Sequence, residues 1–227
     1  MTRPAELVLE IALALVVVAV LTRWHAWRRV GFRTLATPRD LRFFWVPLFP
    51  VLPALPGALA AIPGSTAADL ALLVALAALV GFVEEVVFRG LLLRWLVPHG
   101  LWRAAVVSSV AFGVMHLVNL LAGADLGATL VQVGYATALG FAFAAVALRT
   151  GVLWPLVIIH ALIDVAGFLT VDETAPAGTS ATAVVLPAVY AVGFAVYGAL
   201  VLRAMHASHG DAALPAGPLA TPREALG

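Results

Sequence analysis

Cysteine and lysine are both missing from this 227-residue chain, and charge of either sign is scarce. Without cysteine there can be no disulfide, no thiolate-bound zinc or iron–sulfur cluster and no thiol nucleophile. All 13 basic residues are arginine, they nearly balance 12 acidic ones, and charged residues make up only 11% of the chain. A net charge of +1 leaves no electrostatic footprint for nucleic acid. The sequence has neither a Walker A loop nor a G-x-G-x-x-G turn, so no nucleotide partner is expected. H-E-x-x-H, G-x-S-x-G and G-x-G-D are also missing. Their absence sets aside the zincin helix, the serine nucleophile elbow and an intramembrane aspartyl pair.

What is there is apolar. Hydrophobic residues make up 63% of the chain and the mean hydropathy is +1.06, whereas soluble domains are nearer about 45–50% apolar. A soluble fold of this length could not hide so much apolar surface, and disorder is excluded for the bulk of the chain by the same figures. Long apolar runs must satisfy their own backbone hydrogen bonds, which predicts an all-α, polytopic transmembrane helix bundle. About seven spans are expected: Leu7–Leu21, Phe43–Ile62, Leu70–Leu96, Leu101–Ala122, Gly127–Leu148, Val152–Leu169 and Ala183–Leu202. The first run has no basic region before it beyond Arg3 and no A-x-A site after it, so it reads as an uncleaved helix and not as a signal peptide.

Arginine placement sets the expected orientation. Arg23, Arg28, Arg29, Arg33, Arg39 and Arg42 follow the first span, Arg94 and Arg103 flank the turn after the third, Arg149 follows the fifth, and Arg203 ends the seventh. The alternate loops carry Asp125, or Asp172 and Glu173. An N-terminus outside and a C-terminus in the cytoplasm satisfies every loop, in a multi-pass protein of the cell membrane. Trp24, Trp27, Trp45, Trp95, Trp102 and Trp154 fall at the same ends, as an aromatic belt would. Four regions are expected: residues 1–67 with the first membrane helices and a basic segment, 68–170 as the core, 171–206 as the final membrane helix, and 207–227 as a disordered tail. The basic stretch 23–42 reads equally as an interfacial helix drawn to anionic membrane lipid or as a solvated loop. Thr37-Pro38 offers a helix start within it.

Ionisable groups at membrane depth are costly and are functional candidates by default. They are few here: Glu84, Glu85 and Arg89 in the third span, His116 in the fourth, His160 and Asp164 in the sixth. On straight helices Glu84, His116 and His160 would lie roughly 18, 20 and 14 Å from the cytoplasmic ends of their spans, so three helices offer acid, imidazole and imidazole at similar depth. Glu85 and Arg89 are spaced to pair, most simply as a neutralised pair that lets a polar helix insert. Glu84 points about 100° away from that pair. Asp164, one turn from His160, can orient its imidazole. Phe112 can wall the site, Gly90 and Gly113 remove bulk, and Asn119 with Gln132 reads as interhelical glue. Such a set could activate water, with desolvated Glu84 as general base and His160 and Asp164 stabilising an oxyanion. Alternatively Glu84, His116 and His160 could ligate a divalent metal such as zinc, leaving a fourth position for water.

The stretch Glu84-Glu85-Val86-Val87-Phe88-Arg89 resembles the E-E-x-x-x-R motif of the CPBP family, also called the Abi or type II CAAX prenyl endopeptidase family. Phe112 to His116 resembles its F-x-x-x-H motif, and His160 to Asp164 its H-x-x-x-N/D motif, in family order on successive hydrophobic helices. The resemblance implies an intramembrane endopeptidase, glutamic or metal-dependent, acting on membrane-associated proteins or peptides. It implies Glu84 as general base, His116 as its partner on water, His160 and Asp164 as the oxyanion site, and Glu85, Arg89, Phe112 and Asn119 in support. The prenyl-protein enzymes have Asn where Asp164 stands, and an ionised Asp would repel an oxyanion. Nothing in the sequence points to prenylated substrates. Two other readings use the same residues: a proton-coupled transporter, which predicts broken helices and inverted repeats, and a non-catalytic immunity or scaffold protein.

Overall fold

In a computed structural model, residues 3–170 and 181–209 are described, and they contain helices and no strand. The helices are α1 (Arg3–Arg23), α2 (Trp27–Val30), α3 (Trp45–Leu48), α4 (Val51–Ala61), α5 (Ala67–Glu85), α6 (Leu93–Leu96), α7 (Leu101–Met115), α8 (Leu126–Thr150), α9 (Trp154–Thr170) and α10 (Ala181–His209). Short 3₁₀ stretches run over Pro38–Phe44 and His116–Ala122, and a π-helical stretch over Val86–Leu92 joins α5 to α6. Five helical segments are long and apolar enough to cross a membrane, and a bent pair can make a sixth. The chain is therefore an all-α polytopic bundle.

Two of the seven expected spans look different from a plain crossing. The second is broken, with Pro38–Leu48 and Val51–Gly64 meeting at 66°. Pro47, Pro50, Pro53 and Pro56 explain this, since each removes a backbone donor and crowds the turn before it. The sixth, α9, has 17 residues, about 25 Å at helical rise, and is preceded by buried Val152 and Leu153. At the C-terminus, α10 continues through His209 where a tail from 207 was expected. Residues 210–227 lie outside those described, as do Asp172 and Glu173.

Helix starts follow local chemistry. Thr66 caps α5 by accepting the Asp69 amide at 3.1 Å while the Asp69 carboxylate accepts the Thr66 amide at 3.2 Å. Asp125 caps α8 through the Ala128 amide at 2.8 Å. At Thr37-Pro38 the expected start is present, with the Thr37 amide donating to Asp40 at 3.3 Å.

Helix α8 is the pillar of the bundle, between α7 and α10. Its run Leu139–Ala147, buried except for half-buried Phe141, alternates small residues with large ones such as Phe143 and lets neighbours approach closely. α1 and α10 turn Val8, Leu15, Val16, Val189 and Val192 outward, where lipid would meet them. Between α7 and α8 the fit leaves no room at Gly113: a Cβ there would collide with the Thr137 hydroxyl and stand 2.8 Å from the Val133 carbonyl. Gly113→Val should therefore destabilise the bundle by about 1–3 kcal/mol, read as a lowered unfolding temperature in detergent. An unchanged midpoint would mean that the two helices do not pack this tightly.

The basic segment after α1 is not one continuous helix: it holds the single turn α2 and the 3₁₀ stretch Pro38–Phe44. Residues 24–33 fold back into the bundle, where Ala26 and Val30 are fully buried and Val30 packs on Gly90. The Gly31 carbonyl accepts the Leu153 amide at 2.9 Å. Arg33 Nε and Arg94 Nη2 donate to the Gly151 carbonyl at 2.9 and 3.2 Å, and Arg42 and Arg149 flank one ring, that of Phe43. Arginines after the first, third and fifth spans thus meet at one end of the bundle.

Candidate active site

Two helices are brought together by a glycine. A Cβ at Gly81 on α5 would lie 3.1 Å from both the Ala161 nitrogen and the Val157 carbonyl, so the backbone of α9 rests directly on α5. One turn further along α5 come Glu84 and Glu85, and one residue from Ala161 on α9 is His160. The helix then widens into the π stretch, which carries Arg89. Its Phe88 carbonyl accepts the buried Ser108 hydroxyl of α7 at 2.8 Å. Single π turns of this kind are frequent at functional sites.

Glu85 and Arg89 are fully buried and paired, Arg89 Nη1 to Glu85 Oε1 at 2.8 Å. The guanidinium lies over the Phe112 ring at 4.0 Å and near that of Phe143 at 5.5 Å. Gly140 makes this possible, since a Cβ there would stand 2.7 Å from Arg89 Nη2. The same Glu85 oxygen faces His160 Nδ1 at 2.9 Å. Because Arg89 holds Glu85 as a carboxylate, Nδ1–H is the donor. That bond fixes the ring so that Nε2 faces Glu84 Oε2 at 3.5 Å and Asp164 Oδ2 at 3.7 Å. Both oxygens are buried and have no hydrogen-bond partner among the described residues. The Glu84 and Asp164 side chains are nevertheless 18% and 21% exposed, against 7% for His160.

His116 stands where α7 ends and the 3₁₀ turn begins. Its Nδ1 lies 3.0 Å from the Phe112 carbonyl, which can only accept, so Nδ1 carries the hydrogen and, when the ring is neutral, Nε2 is the acceptor. Phe112 is the shared wall, edge-on to His116 at 5.0 Å and to His160 at 5.8 Å between ring centroids.

The structure thus brings Glu84, Glu85, Arg89, His160 and Asp164 into one charged group, with His116 attached through Phe112. Asn119 is placed elsewhere: its amide donates to Gln132 at 2.9 Å in an exposed position, as an interhelical tie. The imidazole is oriented by Glu85 and not by Asp164, because the latter reaches only the opposite nitrogen and at a longer distance. Among the described residues no three His, Asp or Glu side chains are gathered as a metal would require. His160 Nδ1 faces Glu85 and His116 Nδ1 the backbone, which leaves Nε2 of each ring as the nitrogen that can take a proton or a ligand.

Sequence reasoning missed the π stretch, the Ser108 tie, the seat made by Gly140 and Phe143, and the direct hold of Glu85 on His160. One signal was there to read: Gly81 lies one helical turn before Glu85, where a small residue marks close helix approach.

Residues 66–166 match the family model described as type II CAAX prenyl endopeptidase Rce1-like. No curated protein and no solved structure matches the chain. The matched segment contains every charged residue of the site, and over that segment the chain is similar to the type II CAAX prenyl endopeptidase family.

Proposed function

We propose that this protein hydrolyses peptide bonds of membrane-associated proteins or peptides in the cell membrane, with water activated by Glu84. The observation that carries the reading is the fixed imidazole of His160, held at Nδ1 by the buried Glu85–Arg89 pair and facing two carboxylates at Nε2. Glu84 takes a proton from water, and the water oxygen bonds to the carbonyl carbon of the substrate. His116 Nε2 accepts the second hydrogen of that water and aligns it. His160, protonated at both nitrogens, donates from Nε2 to the developing oxyanion. Asp164 balances the imidazolium charge, a role an Asp can fill where an Asn would instead donate a hydrogen bond. When the C–N bond breaks, Glu84 passes its proton to the departing amine, so protons balance over the cycle.

The test is cleavage by the purified chain in liposomes carrying a library of membrane-anchored peptides, in water enriched in ¹⁸O. New carboxyl termini carrying the label, with matching amino-terminal fragments, are expected. His160→Ala should slow their appearance by roughly 10²-fold or more while eluting as the parent does. An active parent matched in rate by His160→Ala would remove the assigned oxyanion donor, and a parent without any cleavage across the library would refute the hydrolase reading.

A further inference from the structure

At the end of the bundle where the arginines meet, a cleft of about 470 Å³ is lined by Arg28, Phe32, Arg33, Thr34 and Trp154. No acidic residue lines it. Arg28, Arg33 and Thr34 are exposed. Behind the cleft, Arg33 and Arg94 converge on the Gly151 carbonyl. Among the described residues no carboxylate pairs with Arg28, Arg33 or Arg94, and Arg94 Nε is buried without a hydrogen-bond partner. The one acid of the basic segment, Asp40, is engaged by Thr37. Two guanidinium groups, those of Arg33 and Arg94, therefore share a single backbone carbonyl, and a third, that of Arg28, lines the same cleft, with no carboxylate paired to any of them among the described residues.

We propose that this cleft binds the phosphate of an anionic phospholipid headgroup. Guanidinium forks and a hydroxyl suit a tetrahedral oxyanion, which arginine grips through paired N–H donors. The cleft is far larger than one phosphate, so there is room for the glycerol portion beside it. Trp154 and Phe32 supply the amphipathic and apolar faces that sit at the level of lipid headgroups. The site is built and not a diffuse basic surface, because the strap bearing Arg28 and Arg33 is pinned by the Leu153 amide and the Gly151 carbonyl. Trp154 begins α9, the helix that carries His160, so a bound headgroup would brace the end of that helix.

The experiment titrates the purified full chain in neutral detergent with dioleoyl-phosphatidylglycerol, counting bound lipid by native mass spectrometry and following tryptophan fluorescence. Dioleoyl-phosphatidylcholine, glycerol 3-phosphate and inorganic phosphate serve as comparison ligands. One tightly held phosphatidylglycerol per chain is expected, weakened at least tenfold in Arg28→Gln/Arg33→Gln and by less than twofold in Arg23→Gln/Arg39→Gln, which removes the same charge outside the cleft. Should the first double variant fail to fold, Arg28→Gln alone, at an exposed position, is expected to weaken binding at least threefold. Equal loss in both double variants would mean diffuse attraction and overturn the site, as would binding unchanged by Arg28→Gln. Inorganic phosphate or glycerol 3-phosphate binding as tightly as the lipid would overturn the lipid as occupant.

Discussion

Glu84→Gln lowers the rate of peptide-bond cleavage by about 10³-fold, the range expected when a general base is removed, and leaves the bundle folded. The substitution is nearly isosteric. Glu84 makes no hydrogen bond that the fold requires: its Oε2 has no partner among the described residues and stands 3.5 Å from His160 Nε2, at a side chain 18% exposed. Replacing one oxygen by an amide nitrogen keeps the volume and removes the site that takes a proton from water. A glutamine amide does not accept that proton at any working pH, so raising the pH should not restore the rate. The loss should fall on kcat, because Glu84 acts on the water and not on substrate binding. Cleavage of a membrane-anchored peptide, followed beside the elution profile and unfolding temperature of the same preparation, reads both halves of the expectation. A variant that folds and cleaves at the parent rate would move the base to Asp164, the other carboxylate at Nε2 with a buried, unpartnered oxygen.

How far the sequence could be read depended on the range of each interaction. The Glu85–Arg89 contact was legible because residues four apart share a helix face, and the helix start at Thr37-Pro38 because its cap closes within four residues. The common depth of Glu84 and His160 followed from counting helical rise. What could not be read was decided across helices. Nothing local in Val86–Leu92 specifies a widened turn; it rests on Gly90 against Val30 and on a hydroxyl from α7 to the Phe88 carbonyl. Likewise, residues 24–33 look like a polar loop by charge, and only the bonds of Gly31 and Arg33 to the α8–α9 turn draw them into the bundle. Which carboxylate holds His160 was beyond spacing too: Asp164 is the neighbour in sequence, yet Glu85, on another helix, makes the shorter bond.

Arg89→Met should be among the most destabilising single changes in the chain, at about 3–5 kcal/mol, because it strands a buried carboxylate. Arg89 and Glu85 are both fully buried, and the guanidinium also fills the seat formed by Phe112, Phe143 and Gly140. Methionine can occupy much of that space but leaves Glu85 facing His160 alone. The double variant Glu85→Gln/Arg89→Met separates charge from shape. If the cost is an uncompensated charge, neutralising Glu85 restores a large part of the stability that Arg89→Met loses, and the two changes are far from additive. Unfolding midpoints of the parent, both single variants and the double in one detergent close the cycle. Additive losses would mean that the pair matters for packing and not for its charges. Cleavage should not recover with stability, since a glutamine no longer provides the anionic acceptor that orients His160 and supports its positive charge. A double variant that regained both would show that Arg89 and Glu85 serve only to let a polar helix enter the membrane, and that Glu84 and Asp164 suffice to set the imidazole.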